Sequence, residues 1–232
     1  EDNASFTIDG DVLKSAEEFD YEANSSYSVR GQTEDSDGET YQEQFTISVT
    51  DVNEAPTDIV ISSTEIAENS SSGTAVGTLN TTDEDGSETF TYSLVSGTGD
   101  ENNASFTIDG DVLKSAEEFD HEAQDSYSVR IETEDSGGET YQEQFTVSVT
   151  DVNEAPTDIV ISSAEIAENK PVGTAVGTLS TTDEDSGETF TYSLVSGSGD
   201  EDNASFTIDG DVLKSAEEFD HEAQDSYSVR IE

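Results

Sequence analysis

The sequence predicts an all-β protein built from tandem seven-stranded Greek-key β-sandwiches of about 100 residues each. Three observations carry that reading. Apolar and polar residues alternate in short runs, as in Phe90-Thr91-Tyr92-Ser93-Leu94, Tyr127-Ser128-Val129-Arg130-Ile131 and Phe145-Thr146-Val147-Ser148-Val149. A period of two buries one face of a strand and wets the other. No segment sustains the 3.6-residue period of an amphipathic helix. The chain also repeats every 100 residues: Ala4–Gly10 recurs as Ala104–Gly110 and Ala204–Gly210, and Asp51-Val52-Asn53-Glu54-Ala55-Pro56 recurs at 151–156. A unit of that length suits a β-sandwich.

Within the unit, strands are expected near 57–62, 74–80, 88–95, 104–108, 111–115, 126–134 and 140–150. Their inward residues are Ile59, Ile61, Val76, Leu79, Phe90, Tyr92, Leu94, Phe106, Ile108, Leu113, Tyr127, Val129, Ile131, Phe145, Val147 and Val149. Turns fall at Asp85-Gly86, Gly97-Thr98-Gly99, Asp109-Gly110 and Ser136-Gly137-Gly138, where Gly permits positive φ. Pro has no backbone donor and cannot sit in a central strand, so Ala55-Pro56 and Ala155-Pro156 are expected boundaries. The expected organisation is the C-terminal half of a repeat at 1–54, a complete repeat at 55–154, and a repeat lacking its last strand at 155–232. A half sandwich has an open core and unpaired edges. The sequence is therefore expected to belong to a longer array, or to be completed by another copy in a filament or homo-oligomer.

Charge sets the partners. The chain has 56 acidic and 7 basic residues, a formal charge of −49. Nucleic acids and anionic membranes would be repelled, whereas cations would be attracted. There is no Cys, which excludes disulfides and thiolate chemistry, and no Met. No apolar run approaches the ~20 residues needed to span a bilayer, and no signal peptide is visible.

The acidic residues cluster. Ala67-Glu68-Asn69, Asp83-Glu84-Asp85-Gly86, Phe119-Asp120-His121-Glu122, Glu134-Asp135-Ser136-Gly137-Gly138 and Asp151-Val152-Asn153-Glu154-Ala155-Pro156 occur in this order. Together they resemble the cadherin repeat, in particular its bacterial cadherin-like form. The resemblance spans the whole unit and implies an immunoglobulin-like sandwich, an extracellular location and calcium binding at each junction between repeats. At the 54/55 junction it nominates Asp20, Glu22, Asp51, Asn53, Glu54, Asp83, Asp85 and Asp135. At the 154/155 junction it nominates Glu68, Asp120, Glu122, Asp151, Asn153, Glu154, Asp183 and Asp185. Ca²⁺ takes six to eight oxygen ligands with tolerant geometry, which suits such loops. The family linker reads Asn-Asp-Asn before Ala-Pro; here Asn153-Glu154 substitutes Glu and lacks the second Asn. One ion site therefore loses a side-chain ligand, and two or three Ca²⁺ are expected per complete junction.

Enzymatic function is not expected. His121 and His221 correspond to Tyr21, so the array tolerates loss of its only imidazole, and no G-x-S-x-G, P-loop or G-x-G-x-x-G motif occurs. Asn-x-Ser/Thr triplets such as Asn69-Ser70-Ser71 and Asn80-Thr81-Thr82 read as coincidence in a Ser/Thr-rich surface. The expected function is a calcium-rigidified extracellular stalk or fibre of a bacterial surface adhesin. The alternative is a secreted module that binds polysaccharide or protein.

Overall fold

The structure is a computed structural model that describes residues 1–86 and 88–232. It comprises two compact units, 1–150 and 151–232. In the first, two hairpins come before the sandwich. β1 (Phe6–Asp9) pairs with β2 (Val12–Ser15), and β3 (Ser26–Glu34) pairs with β4 (Thr40–Ser48), both antiparallel. The Phe6, Phe19 and Tyr27 rings cluster, with Phe19 and Tyr27 centroids 4.5 Å apart. Val29 is buried, whereas Ile8, Leu13 and Phe45 are exposed.

The sandwich of this unit contains β5 (Asp58–Ile61), β6 (Glu65–Ala67), β7 (Ala75–Thr82), β8 (Thr91–Leu94), β9 (Phe106–Asp109), β10 (Val112–Ser115), β11 (Ser126–Glu134) and β12 (Thr140–Thr150). One sheet has the order β5-β7-β10-β9 and the other β6-β12-β11-β8. All seven expected strands are present; β11 and β12 keep the expected bounds of 126–134 and 140–150, and the other five have shifted ends. An eighth, β6, was not expected. The chain leaves the first sheet after Ile61 and joins the second alongside β12, in parallel, with Ile66 opposite Val149. Three residues with one inward side chain are too short to show a period. The crossover runs close over β7: a Cβ on Gly77 would lie 2.4 Å from the Ser63 carbonyl oxygen, so only glycine fits there.

The core follows the alternation. Ile59, Val76, Leu79, Phe106, Leu113, Tyr127, Val129, Ile131, Val147 and Val149 are buried, and Ile61, Tyr92, Leu94, Ile108 and Phe145 pack against them partly buried. Phe90 precedes β8 and is half-buried outside this cluster. Phe119 is buried too, although it lies in no strand; its ring sits 5.4 Å from Phe106 and 4.5 Å from Tyr127. Residues 104–105, expected to begin a strand, instead belong to a 3-10 turn at 103–105. The Asn103 side chain holds it there, donating to the Val95 carbonyl and accepting from the Arg130 N–H. The Asp109-Gly110 hairpin turn is as expected: Gly110 has φ 64° and Lys114 pairs with Asp109 at 2.5 Å.

The second unit contains β13 (Asp158–Ile161), β14 (Ala175–Thr182), β15 (Phe206–Asp209) and β16 (Val212–Ser215), in the order β13-β14-β16-β15. Phe206, Leu213 and Phe219 form its buried cluster. Residues 226–230, which match β11 in sequence, are not in a strand; Ile231 makes a single bridge to Leu194.

Replacing Phe119 with Ala is expected to lower the unfolding free energy by about 3–5 kcal/mol, because a cavity opens beneath both neighbouring rings. Val60→Ala, at a position 49% exposed, is expected to change it by about 0.5 kcal/mol or less. Urea denaturation of the two variants checks both.

Candidate metal centre

Three segments of the first unit deliver acidic side chains to one place. The first is the turn after Phe19. Asp20 closes it, its Oδ1 accepting the Ala23 N–H at 2.9 Å and its carbonyl the Asn24 N–H at 3.0 Å. Glu22 projects from this turn. The second is the extended linker that follows β4, carrying Asp51, Asn53 and Glu54. The third is the loop after β7, where Asp83 Oδ1 accepts the Asp85 N–H at 3.1 Å.

Carboxylate oxygens of Glu22, Asp51 and Asp85 lie within 4.8 Å of one another. Hydrogen bonds stitch the linker to both neighbouring loops. The Glu54 N–H donates to Asp85 Oδ2 at 2.9 Å, and Asn53 Nδ2 donates to Asp135 Oδ2 at 3.1 Å. Asn53 occupies the space beside Gly137, where a Cβ would lie 1.9 Å from its Oδ1. Asp135, only 6% exposed, also receives the Gly138 and Glu139 N–H groups at 2.6 and 2.9 Å.

Between the sheets, a buried polar network underlies two of these loops. Thr81 Oγ1 bonds Tyr92 Oη at 2.9 Å and Thr133 Oγ1 at 2.8 Å. Thr81 stands two residues before Asp83 on β7, and Thr133 two before Asp135 on β11. The network therefore fixes the separation of the strand ends that carry those aspartates. Thr133 continues the inward series Val129, Ile131, and the period-two pattern could have located it.

The cluster lacks counter-charge. The ion pairs among the described residues are Lys14–Asp9, Arg30–Glu1, Lys114–Asp109 and Lys214–Asp209, all elsewhere. Glu54 Oε2 and Asp83 Oδ2 are buried without a hydrogen-bond partner. Local desolvation by the adjoining loops, with the charges of Asp51, Asp85 and Asp20, lifts the carboxyl of the otherwise exposed Glu22 above the ordinary glutamate value, against a backbone N–H that lowers it. Glu54 is lifted by burial and then by Asp85, Glu22, Asp51 and Glu84. Asp135 shows the reverse. Burial opposes its charge, but donation from Asn53 and from the backbone of Glu139, Gly138 and Gly137 brings it below the ordinary aspartate value.

Converging carboxylates, buried acceptors without donors and no paired cation fit a hard divalent ion with oxygen ligands. Ca²⁺ suits the irregular spacing, whereas Mg²⁺ keeps its waters and demands octahedral geometry.

The remaining nominated residues are placed as follows. Glu68 is buried; its Oε2 accepts the His121 N–H at 2.8 Å, and His121 Nδ1 lies 2.9 Å from the Val149 carbonyl. Asn69 follows it at φ 56°, a conformation that Asn tolerates, which turns the chain directly after Glu68. Asp120 caps the turn that contains the exposed Glu122. In the second unit the Glu154 N–H donates to Asp185 Oδ2 at 2.9 Å, and Asn153 Nδ2 to the Glu154 carbonyl at 2.6 Å. Asp183 Oδ2 and Asp185 Oδ1 are buried without partners, and Asp151 is exposed in the linker. A further group, Glu168, Asp220 and Glu222, gathers oxygens within 4.8 Å. The sequence reading did not nominate it, although Ala167-Glu168-Asn169 and Phe219-Asp220-His221-Glu222 repeat the motifs at 67–69 and 119–122.

A family profile described as the cadherin domain matches residues 62–150 and 162–232. Protocadherin Fat 4 of Homo sapiens is 29% identical over 98% of this chain and 5% of its own length. Cadherin-22 of Rattus norvegicus is 30% identical over 98% of this chain and 31% of its own length. The chain thus spans less than a third of these curated relatives. Among solved structures, protocadherin gamma B7 extracellular cadherin domains 1–4 align at TM-score 0.69 and 26% identity, over 97% of this chain and 58% of that one. The protocadherin gammaB7 EC3-6 cis-dimer aligns at TM-score 0.68 and 24% identity, over 99% and 59%.

The raised carboxyls give a pH dependence. A carboxyl whose value is raised on folding binds its proton in the folded state first, so stability falls as pH rises above the ordinary value of 4.5. In chelator, the melting temperature is expected to be higher at about pH 5 than at about pH 7. Below 3.8 the trend reverses, because Asp135, held down by its donors, and Asp109, held down by its hydrogen bond to Lys114, then lose charge. Thermal scans across that range check the sign.

Proposed function

The chain belongs to the cadherin family, as a stretch of extracellular cadherin repeats, and from that premise we propose that it is a calcium-stiffened segment of a cell-surface array. On this reading the repeat boundaries fall at 54/55 and 154/155. The observation that carries the reading is the cluster of Glu22, Asp51 and Asp85 beside the unpartnered oxygens of Glu54 and Asp83.

These residues would hold Ca²⁺ together with Asp20, Asn53 and Asp135, and the ion would supply positive charge where the chain provides none. Glu22 belongs to the segment before the linker, Asp51 and Glu54 to the linker, and Asp83 and Asp85 to the sandwich after it. Ligands drawn from all three tie them into one body. Two or three ions per junction agree with the ligand set; Glu54, in place of the family's Asp-Asn, turns a buried oxygen toward the cluster. The same residue types recur as Glu68, Asp120, Glu122, Asp151, Asn153, Glu154, Asp183 and Asp185, and the proposal extends to them.

The role is mechanical: a stalk or fibre of an adhesin, whose partners are calcium and further copies of itself. Self-association is supported by the relative solved as a cis-dimer. Assignment to a bacterial surface rests on the repeat resemblance alone, since the relatives named above are animal cadherins. The Phe106, Phe119 and Tyr127 rings pack in the core, which leaves them unavailable as a sugar-stacking platform.

Small-angle scattering is expected to give a longer, narrower particle in millimolar calcium than in chelator; equal dimensions would defeat the proposal. Asp85→Asn is expected to raise the calcium needed for the transition by at least about tenfold, since even groups that only support ligands are worth that much.

A further inference from the structure

We propose that Glu88 is a positioning residue of the 54/55 calcium site, one that holds two ligand-bearing loops together without touching the ion. The inference rests on the calcium reading above. Glu88 follows the Asp83–Asp85 loop. Its Oε2 accepts two hydrogen bonds from Ser136, at 2.9 Å from the backbone N–H and 2.5 Å from Oγ. Ser136 directly follows Asp135 at the β11–β12 hairpin tip. The bond spans 48 residues of sequence and joins the loop of Asp83 and Asp85 to the loop of Asp135.

The arrangement complements the buried network. Thr81–Thr133 pins the two strands inside the sandwich, before the aspartates; Glu88–Ser136 pins the two loops outside it, after them. Each ligand pair is thereby held on both sides. Asp135 needs such support because its own oxygens are engaged by Asn53, Gly138 and Glu139, so its distance from Asp83 is set by how the loops meet. Without the outer clamp the hairpin tip pivots on Thr133, and the carboxylates must be gathered each time an ion binds. Glu88 is not among the residues that the family motif nominates, and it is absent from the clusters of converging oxygens.

The test uses terbium as an oxygen-seeking luminescent probe, displaced by calcium, on the full chain. Tyr21 neighbours Glu22, whereas the matching positions are His121 and His221; Tyr192, bonded to Thr181, stands near Asp183, so the part of the tyrosine-sensitised emission that is lost in Tyr21→His reports this junction. Glu88→Ala is expected to weaken calcium at least about tenfold, the usual cost of losing a group that orients a ligand. Its melting temperature in chelator should stay unchanged, because the bond is at the surface. Glu88→Gln keeps an acceptor oxygen and removes the charge; it is expected to restore most of the affinity. Ser136→Ala loses one of the two donors and should fall between them. If Glu88→Gln weakens binding as much as Glu88→Ala, charge rather than positioning is responsible and the proposal fails. It also fails if Glu88→Ala binds like the parent. If the parent chain binds no calcium, the functional reading itself falls, which is a separate outcome.

Discussion

Like charges held close without a counter-charge are the constraint on which the 54/55 region depends. Glu22, Asp51 and Asp85 face one another, and Glu54 and Asp83 point buried oxygens at no donor. A folded chain normally avoids this, because a buried acceptor without a partner is costly and a buried charge more so. The arrangement makes sense when a cation completes it. The raised Glu22 and Glu54 carboxyls express the same tension in protonation: without a cation, a proton is the available substitute.

The sandwich supplies rigidity where it is needed. β7 and β11 belong to different sheets, and both end in acidic loops, one with Asp83 and Asp85 and the other with Asp135. The Thr81–Tyr92–Thr133 network crosses the core at that end and joins the sheets by hydrogen bonds rather than by apolar packing alone. Fully satisfied buried networks of this kind fix geometry more strictly than interchangeable apolar contacts. The linker adds donors of its own, Asn53 to Asp135 and the Glu54 N–H to Asp85. Part of the acidic cluster is thus organised by the protein's own donors, whereas Glu54 Oε2 and Asp83 Oδ2 have none.

Much of this was legible in the sequence, for definite reasons. Strands read well because each long one alternates over many residues, as β11 does from Tyr127 to Thr133. β6 escaped notice because a three-residue strand has no period, and Phe119 because an inward residue outside a strand has no pattern to belong to. The carboxylates that converge, Glu22, Asp51 and Asp85, were legible as parts of ordered acidic motifs repeated at a fixed interval. Their division of labour was not: Asp135 meets Asn53 across 82 residues, and local sequence cannot show that its oxygens are already engaged. Glu168, Asp220 and Glu222 stand apart from the Ala55-Pro56 and Ala155-Pro156 linkers that mark the other two clusters, although their motifs are copies of those at 68, 120 and 122. Most of the 56 acidic residues lie outside these groups, where the surface solvates them.

A crystal structure grown with millimolar calcium tests the central claim most directly. The expected result is electron density among Glu22, Asp51 and Asp85, with ion-to-oxygen distances of about 2.3–2.6 Å and Glu54 Oε2 or Asp83 Oδ2 turned toward it. Density for water alone, with the three carboxylates splayed apart, would contradict the account.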